Sequence, residues 1–270
     1  MTYSTVLTIA GSDSGGGAGI QADIKSISAT GSYAASAITA VTVQNTLGVQ
    51  AIHPVPDDIV VAQIRCVLDD IGADAVKIGM IHSAQLINAV AQVLSNYLST
   101  ISHGIVLDPV MLSTSGHRLM AEDAVNGLKS QLIPLARVIT PNVPEAEALT
   151  GEMISSSNDL ALMACKLSAM FPNHPSVLMK AGHCEGLYSS DVFYNAETDN
   201  ILLLQAKRTE TNNTHGTGCT LSSAIASYLA QGFTLDDSIQ FAKKYITQAI
   251  IQGEKYEIGH GHGPVNHFFA

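Results

Sequence analysis

The sequence predicts an α/β protein with a mostly parallel central sheet and helices on both of its faces. Short apolar runs alternate with longer stretches of helical periodicity along most of the chain. The apolar runs are almost continuous, which is typical of parallel strands that are buried on both faces. With 270 residues, 46% of them hydrophobic, the chain is long enough for one sizeable core. We therefore expect a single domain over residues 1–270, with three layers.

The predicted strands and helices follow each other in a regular order. The predicted strands are 5–10, 37–43, 74–80, 104–110, 137–142 and 176–182. The predicted helices are 17–30, 58–71, 83–98, 121–133, 158–170, 217–231 and 235–252. Residues 188–208 interrupt the alternation, because two β-rich runs flank a polar turn there, as in an antiparallel hairpin at a sheet edge.

Polar and glycine-rich segments come directly after the predicted strands. In chain order they read GSDSGGGAG, QNT, GMI, DPVM, TPNVPEAE and KAGH. In an open parallel sheet, ligands bind beyond the carboxyl ends of the strands. The sequence therefore predicts one active-site cleft, built from six strand ends.

Charge and cysteine usage exclude several classes of partner. The net charge of −10 and the absence of a basic run argue against nucleic acid and anionic membranes as partners. No apolar stretch approaches the roughly 18–20 residues of a membrane span. The four cysteines, Cys66, Cys165, Cys184 and Cys219, match neither a zinc site nor a disulfide framework. We expect a cytoplasmic protein without a signal peptide.

The segment THGTGCT, residues 214–220, precedes a predicted helix of small residues. Glycines at a helix N-terminus expose backbone N–H groups to a ligand, and the helix dipole favours an anion there. Such donors stabilise a phosphoryl group in transfer. In the same field the pKa of Cys219 is expected to fall, so that its thiol accepts a proton. The alternative is a small buried core thiol.

A second glycine-rich segment, GSDSGGGAGIQAD, covers residues 11–23. It has no lysine before a serine or threonine, so it is not a Walker phosphate loop, and it does not match the dinucleotide fingerprint. We interpret it as a loop whose backbone lies close to a small substrate, with Asp13 and Asp23 beside it. The alternative is a flexible turn between a strand and a helix.

Three further segments place charged or polar residues at strand ends. Asn142 and Glu145 stand three apart at the start of a helix, an arrangement suited to binding Mg²⁺ on a nucleotide or simply to capping the helix. Asp108 follows a strand and is either a carboxylate that lies near the metal ion and the phosphates or a residue of a turn. Lys180 ends an apolar strand and requires an anionic partner.

The C-terminal segment GHGHGPVNHFF carries His260, His262 and His267. It is interpreted as a surface tail rather than a metal site, because glycine separates the first two histidines and the segment itself contains no carboxylate that could support them.

The segment THGTGCT resembles the C-terminal signature of the ribokinase superfamily, with Cys219 where other members carry an aspartate as base. The segments GSDSGGGAGIQADIK, TVQNTLGV, ADAVKIGMI, LDPVM…SG, TPNVPEAEALTG and KAGH extend the likeness over about residues 4–267. In this combination the chain is similar to the hydroxymethylpyrimidine/phosphomethylpyrimidine kinases of thiamin biosynthesis.

This resemblance implies a ribokinase-like fold, a homodimer and two successive transfers from ATP with Mg²⁺. The first phosphorylates the hydroxymethyl group of 4-amino-5-hydroxymethyl-2-methylpyrimidine, and the second converts the monophosphate to the diphosphate. The implied catalytic residues are Cys219, Gly216, Gly218 and Lys180. The implied substrate-binding residues are Gln44, Gly11, Asp23 and Met80. The implied ATP-binding residues are Asn142, Thr214, Thr217 and Lys180, and the implied metal-binding residues are Asp108 and Glu145.

Three other functions stay open at this point. The first is phosphorylation of pyridoxal or pyridoxine, as the main or a side activity. The second is binding of a metabolite without catalysis. The third is a cysteine-dependent hydrolase, which needs a histidine–acid pair near Cys219, and His215 is the nearest histidine in sequence.

Overall fold

An eight-stranded sheet forms the middle layer of the protein. The computed structural model describes residues 3–111, 120, 122–154, 156, 159–182 and 187–269. The strands of the sheet are β1 (Thr5–Ala10), β2 (Tyr33–Ile38), β5 (Ala75–Ile78), β6 (Ile105–Leu107), β7 (Val138–Ile139), β8 (Ser176–Met179), β9 (Tyr188–Asn195) and β10 (Asn200–Lys207). Their spatial order is β10-β9-β8-β7-β6-β5-β1-β2. All neighbours from β8 to β2 are parallel, and β9 and β10 form the antiparallel hairpin expected at the edge.

Helices cover both faces of this sheet. One layer contains α2 (Asp57–Asp70), α3 (Ala84–Ser95), α4 (Glu122–Gly127), α5 (Val143–Thr150) and α6 (Leu160–Ala169). The other contains α1 (Gly19–Ala29), α7 (Thr217–Ala230) and α8 (Leu235–Gly253). Successive side chains of each central strand enter opposite cores, because a strand has a period of two. Thus Leu7 and Ile9 pack with the first layer and Val6 packs with the second. The predicted three-layer architecture is confirmed.

The second predicted strand, 37–43, is wrong in its bounds. The chain leaves the central sheet at Thr39, whose hydroxyl donates to the carbonyl of Met80 at 2.8 Å. The following segment forms β3 (Ala40–Asn45), which pairs with β4 (Gly48–Pro54) in a separate two-stranded antiparallel sheet. The apolar run at 37–43 gave no sign that the chain passes from one sheet to the other, because such a run does not distinguish a buried strand from one that exposes its valines. Val41 and Val43 are in fact exposed.

Local sequence signals account for several helix ends. The side chain of Ser83 caps α3, and that of Thr234 caps α8. Gly151 ends α5 with a left-handed backbone conformation, which glycine adopts without strain. The predicted helix 121–133 is less regular than expected, since α4 continues as a π-helical turn (Leu128–Leu132) and a 3₁₀ turn (Ile133–Leu135). None of the described helices is long and apolar enough to cross a membrane.

A buried ion pair joins the sheet to the layer of α1 and α7. Lys77 of β5 donates to both carboxylate oxygens of Asp23 of α1, at 2.9 Å each, and neither side chain has any solvent exposure. Asp23 also accepts from the hydroxyls of Thr8 at 2.6 Å and Ser223 at 2.8 Å. Burial favours the neutral amine, yet the adjacent Asp23 carboxylate keeps the pKa of Lys77 above its ordinary value. The charges stay buried because each hydrogen-bonds the other.

Replacing Lys77 by methionine is expected to destabilise the protein strongly, because Asp23 would stay buried without its cation. Removing one partner of a buried ion pair costs about 3–5 kcal/mol. The matched control is Lys166→Met, which makes the same change in an exposed pair with Glu152; exposed pairs contribute about 0–1 kcal/mol. Urea unfolding measures both. A Lys77→Met free energy of unfolding within about 1 kcal/mol of the wild type would contradict this account of the pair.

Candidate active site

A cavity of about 990 Å³ opens at the carboxyl ends of the central strands. Its lining includes residues that follow five of the strands: Gly11, Met80, Asp108, Asn142 and Lys180. Gln44 reaches it from β3, so the hairpin, and not a sixth central strand, supplies the QNT segment. All predicted site residues except Asp23 line this cavity. Six groups of residues that are distant in the sequence therefore meet at one edge.

The expectation that Asp23 contacts the substrate directly is wrong. Its carboxylate is fully buried and is occupied by Lys77, Thr8 and Ser223. The residue that lines the cavity at this point is Lys77, which sequence reasoning missed. The available signal was a lysine in an otherwise apolar strand, since a lysine there requires a partner.

The N-terminus of α7 forms the floor of the cavity near Cys219. Gly216 precedes the helix with a φ of +79°, and a Cβ there would lie 1.8 Å from the carbonyl oxygen of Gly17. Only glycine permits this approach, so the first glycine-rich loop packs directly on the start of α7. No side chain caps α7. The positive end of its dipole therefore faces the cavity and favours an anion.

An ion cluster lies beside this helix end. Lys180 donates to Asp108 at 2.7 Å, and its nitrogen is 3.8 Å from Glu145. A Cβ on Gly218 would be 3.3 Å from the Lys180 nitrogen, so the helix backbone and the ammonium group border the same space. Burial opposes the charge on Lys180, but the Asp108 and Glu145 carboxylates raise its pKa above the ordinary value. The anionic partner that the sequence predicted for Lys180 is therefore present, in the carboxylates of Asp108 and Glu145.

Asn142 and Glu145 form a reciprocal capping box at the start of α5. The Asn142 side chain accepts from the backbone N–H of Glu145 at 2.8 Å, and Glu145 accepts from the backbone N–H of Asn142 at 2.8 Å. The structural alternative for this pair is therefore confirmed, and both residues also line the cavity. Burial raises the pKa of Glu145, and the attraction of Lys180 offsets this only in part.

A second buried pair connects the first glycine-rich loop to α7. Asp13 accepts hydrogen bonds from the backbone N–H groups of Gly15, Gly17 and Ala18 at 2.8–3.0 Å. Its Oδ2 is also 2.8 Å from Nε2 of His215. Burial favours the protonated acid, but the His215 and backbone hydrogen bonds together keep the pKa of Asp13 below its ordinary value. Sequence reasoning identified both residues without pairing them.

Cys219 differs from the expected low-pKa thiol. Its side chain faces the cavity, yet desolvation raises its pKa to about 11. Lys77 lowers this pKa, whereas the Asp23 and Asp108 carboxylates raise it. The thiol is therefore protonated near neutral pH. Within the described residues, the imidazole of His215 bonds Asp13 and lies beside the amide of Gln44 rather than bonding Cys219. The main requirement of the hydrolase alternative is therefore missing.

One of the three C-terminal histidines, His267, differs from the expected surface tail. His267 is buried and its Nε2 lies 3.0 Å from the hydroxyl of Thr220 in α7. Burial lowers the pKa of His267 to about 4, so it is a neutral packing residue. His260 and His262 are exposed. Cys184, His183 of KAGH and Ser115–Gly116 of LDPVM…SG lie outside the described residues.

Comparison with known proteins agrees with this geometry. The family model described as phosphomethylpyrimidine kinase matches residues 13–266. A hydroxymethylpyrimidine/phosphomethylpyrimidine kinase of Rhizobium meliloti is 48% identical, over 97% of this chain and 96% of its own. The crystal structure of a Clostridium difficile phosphomethylpyrimidine kinase has 42% identity and a TM-score of 0.77, covering 91% of this chain and 99% of its own.

A pyridoxal kinase is also similar in structure. The ADP complex of the Bacillus subtilis enzyme has a TM-score of 0.87 and 33% identity, over 98% of both chains. The ribokinase-like fold is thus shared with a pyridoxal kinase, and the family model of the phosphomethylpyrimidine kinases matches most of this chain. This chain belongs to the phosphomethylpyrimidine kinase family.

Proposed function

We propose that this protein transfers the γ-phosphoryl group of ATP to 4-amino-5-hydroxymethyl-2-methylpyrimidine, and then transfers a second group to the resulting monophosphate. The observation that carries the proposal is the open N-terminus of α7 facing the Lys180–Asp108–Glu145 cluster across one cavity. Phosphoryl transfer requires mainly positioning and stabilisation of spread negative charge. A helix N-terminus and a fixed ammonium group supply that stabilisation.

In the proposed reaction, the hydroxyl oxygen of the pyrimidine alcohol forms a bond to the γ-phosphorus while the bond from that phosphorus to the ADP oxygen breaks. The backbone N–H groups of residues 216–219 hold the transferring group, and Lys180 neutralises part of its charge. Cys219 orients the hydroxyl by a hydrogen bond. Because its thiol is protonated near neutrality, we propose that it does not act as a preformed thiolate. The proton leaves the hydroxyl late in a loose transition state and passes to an oxygen of the transferred phosphoryl group, from which water removes it.

Asn142, Thr214, Thr217 and Lys180 are proposed to bind ATP, since all line the cavity next to the anion site. The carboxylates of Asp108 and Glu145 fit Mg²⁺, which binds proteins through one or two carboxylates and takes its other ligands from phosphates and water. Among the described residues no group of three or more metal-ligating side chains occurs, in keeping with an ion that arrives on the nucleotide. Once bound, Mg²⁺ neutralises charge on the phosphates.

Gln44, Gly11 and Met80 are proposed to bind the pyrimidine. They lie together at the end of the cavity formed by β1, β3 and the segment after β5. The amide of Gln44 offers a donor and an acceptor side by side, which complements the amino group and ring nitrogen of the pyrimidine.

We further propose a cytoplasmic homodimer in which each chain acts as one catalytic domain. The exposed side chains of Val41 and Val43 on β3, and of Leu47 in the adjoining turn, support the dimer. Apolar side chains that are exposed next to one another are typical of an interaction surface.

An ATP-coupled assay with the pyrimidine alcohol is the first test. Chromatography is expected to resolve both the monophosphate and the diphosphate as products, because the same cavity accepts the alcohol and its phosphate in succession. Pyridoxal is assayed in parallel. Monophosphate alone, together with faster turnover of pyridoxal, would assign the protein to the pyridoxal kinases, and the absence of product from either alcohol would favour a binding protein.

Replacing Gln44 by alanine is expected to weaken pyrimidine binding about tenfold to a hundredfold, because two hydrogen bonds of about 0.5–1.5 kcal/mol each are lost. ATP binding should change little. The control is Gln50→Ala, which removes an exposed glutamine from the same hairpin. Calorimetry with each ligand measures the two affinities. Equal losses for pyrimidine and ATP would count against the assignment of Gln44.

The thiol of Cys219 is expected to react slowly with iodoacetamide at neutral pH, since only the thiolate is nucleophilic and the pKa is about 11. Its alkylation rate should still be rising at pH 10. Mass spectrometry of peptides distinguishes Cys219 from Cys66 and Cys165, which are also free thiols. A rate that reaches its plateau below pH 8 would show a low pKa and restore the thiolate base.

A further inference from the structure

The amide of Gln44 has two neighbours that determine which way it points. Its nitrogen and oxygen are almost the same shape, so only hydrogen-bond partners distinguish the two orientations of the group. One neighbour is Nε2 of His215, 3.4 Å from the amide nitrogen, and the other is the hydroxyl of Thr42, 3.2 Å from the amide oxygen. The backbone of Gln44 is held by Ser14, whose hydroxyl accepts from its N–H at 2.9 Å and donates to its C=O at 2.7 Å.

Asp13 decides the role of the His215 nitrogen. The Asp13 carboxylate already accepts three backbone N–H groups, as an ionised acid does. An ionised carboxylate is an acceptor only. Nε2 of His215 lies 2.8 Å from Asp13 Oδ2 and must therefore carry the hydrogen and donate it. The same nitrogen has no lone pair left to accept a hydrogen bond from the amide of Gln44.

The hydrogen bonds of Thr42 determine which end of the Gln44 amide faces its hydroxyl. Its hydroxyl donates to the carbonyl oxygen of Ser12 at 2.8 Å, a shorter contact than the 3.2 Å to Gln44. Its single proton is thus used, and its oxygen lone pairs remain as acceptors. The neighbour at Thr42 therefore accepts, whereas the N–H of His215, whose hydrogen is directed at Asp13, offers no acceptor to an amide N–H₂ group. Both favour the orientation in which the amide N–H₂ group faces Thr42 and the amide oxygen faces His215.

We propose that Asp13, His215 and Thr42 act as positioning residues that lock the Gln44 amide in this one orientation, and thereby make the site select 4-aminopyrimidines over 4-oxopyrimidines. In the locked state, one N–H and one oxygen lone pair of Gln44 remain for the ligand. The N–H meets the acceptor N3 of a 4-aminopyrimidine, and the oxygen meets its amino group. A 4-oxopyrimidine carries a donor at N3–H and an acceptor at position 4, the reverse order.

A glutamine amide that rotates freely would bind either pyrimidine, because turning it by 180° exchanges its donor and its acceptor. The fixed orientation of the amide is therefore what distinguishes the 4-amino from the 4-oxo ring. The inference rests on the proposed function, because it assumes that Gln44 contacts the pyrimidine edge. The inference also explains why the pyrimidine-binding end of the cavity is joined to α7. His215 directly precedes Gly216, the residue before the first turn of α7. The same side chain thereby borders the ring-binding end and the anion site.

The test compares 4-amino-5-hydroxymethyl-2-methylpyrimidine with its 4-oxo analogue, measuring kcat/KM with ATP and the dissociation constant by calorimetry. The wild type is expected to prefer the amino compound by at least about a hundredfold, because a mismatched edge leaves buried polar groups unpaired. In His215→Phe the preference should fall about tenfold or more, since the N–H group that disfavours the other amide orientation is lost while a ring of similar size remains.

Thr42→Val removes the hydroxyl beside the Gln44 amide with an isosteric change. It should also reduce the preference for the 4-amino over the 4-oxo pyrimidine. The control is His53→Phe, an exposed histidine on β4, which should leave the preference unchanged. A purely structural role for His215 would lower turnover of both pyrimidines together without changing their ratio.

An unchanged ratio in both His215→Phe and Thr42→Val would overturn the inference, as would equal binding of the two pyrimidines by the wild type. If the wild type binds the amino compound selectively but forms no phosphorylated product, the proposed function fails. The ratio of dissociation constants in the variants then still decides the inference, so the two failures are distinguishable.

Discussion

The ion pair of Lys77 and Asp23 is the constraint on which the architecture of the site depends. It joins a central strand to α1 with no access to water, and the hydroxyl of Ser223 brings α7 to the same carboxylate. Buried charges tolerate little displacement, because every lost hydrogen bond exposes one of them to an apolar environment. Cys219 is four residues before Ser223 on the same face of α7. The position of the thiol in the cavity therefore follows from the pair beneath it.

The two glycine-rich segments form one structural unit. Gly216 lies so close to Gly17 that no side chain fits between them, and Asp13 holds the loop through three backbone N–H groups and His215. The loop is thus rigid at the point where it meets the start of α7. A ligand held at Gln44 and an anion held at the helix N-terminus are positioned against each other by the same contacts, which is what an in-line transfer between two bound molecules requires.

The electrostatics of the site contrast with those of the whole chain. The protein carries a net charge of −10, yet two of the substrates proposed for it, ATP and the pyrimidine monophosphate, carry several negative charges. Attraction comes from Lys77, Lys180 and the N-terminus of α7, all of which line the cavity, and a few placed cations are sufficient in a site of low dielectric. The carboxylates of Asp23 and Asp108 have the opposite effect on Cys219, because they help to raise the pKa of its thiol. Desolvation, with a smaller contribution from these two carboxylates, thus keeps Cys219 from being a ready-made base.

Apart from the β3–β4 hairpin, the sequence by itself determined the order of strands and helices, the layers and the residues at the strand ends, because periodicity and turn chemistry are local properties. The capping box at Asn142 and the glycines before α7 are equally local. Only the tertiary structure decided that Asp23 is withdrawn from the cavity and that Lys77 replaces it, since this pair joins residues 54 positions apart. It also decided the contact of Asp13 with His215, 202 positions away, and the departure of β3 from the sheet. The pKa of Cys219 belongs to the same group, because desolvation depends on every group that surrounds the thiol and not on its neighbours in the chain.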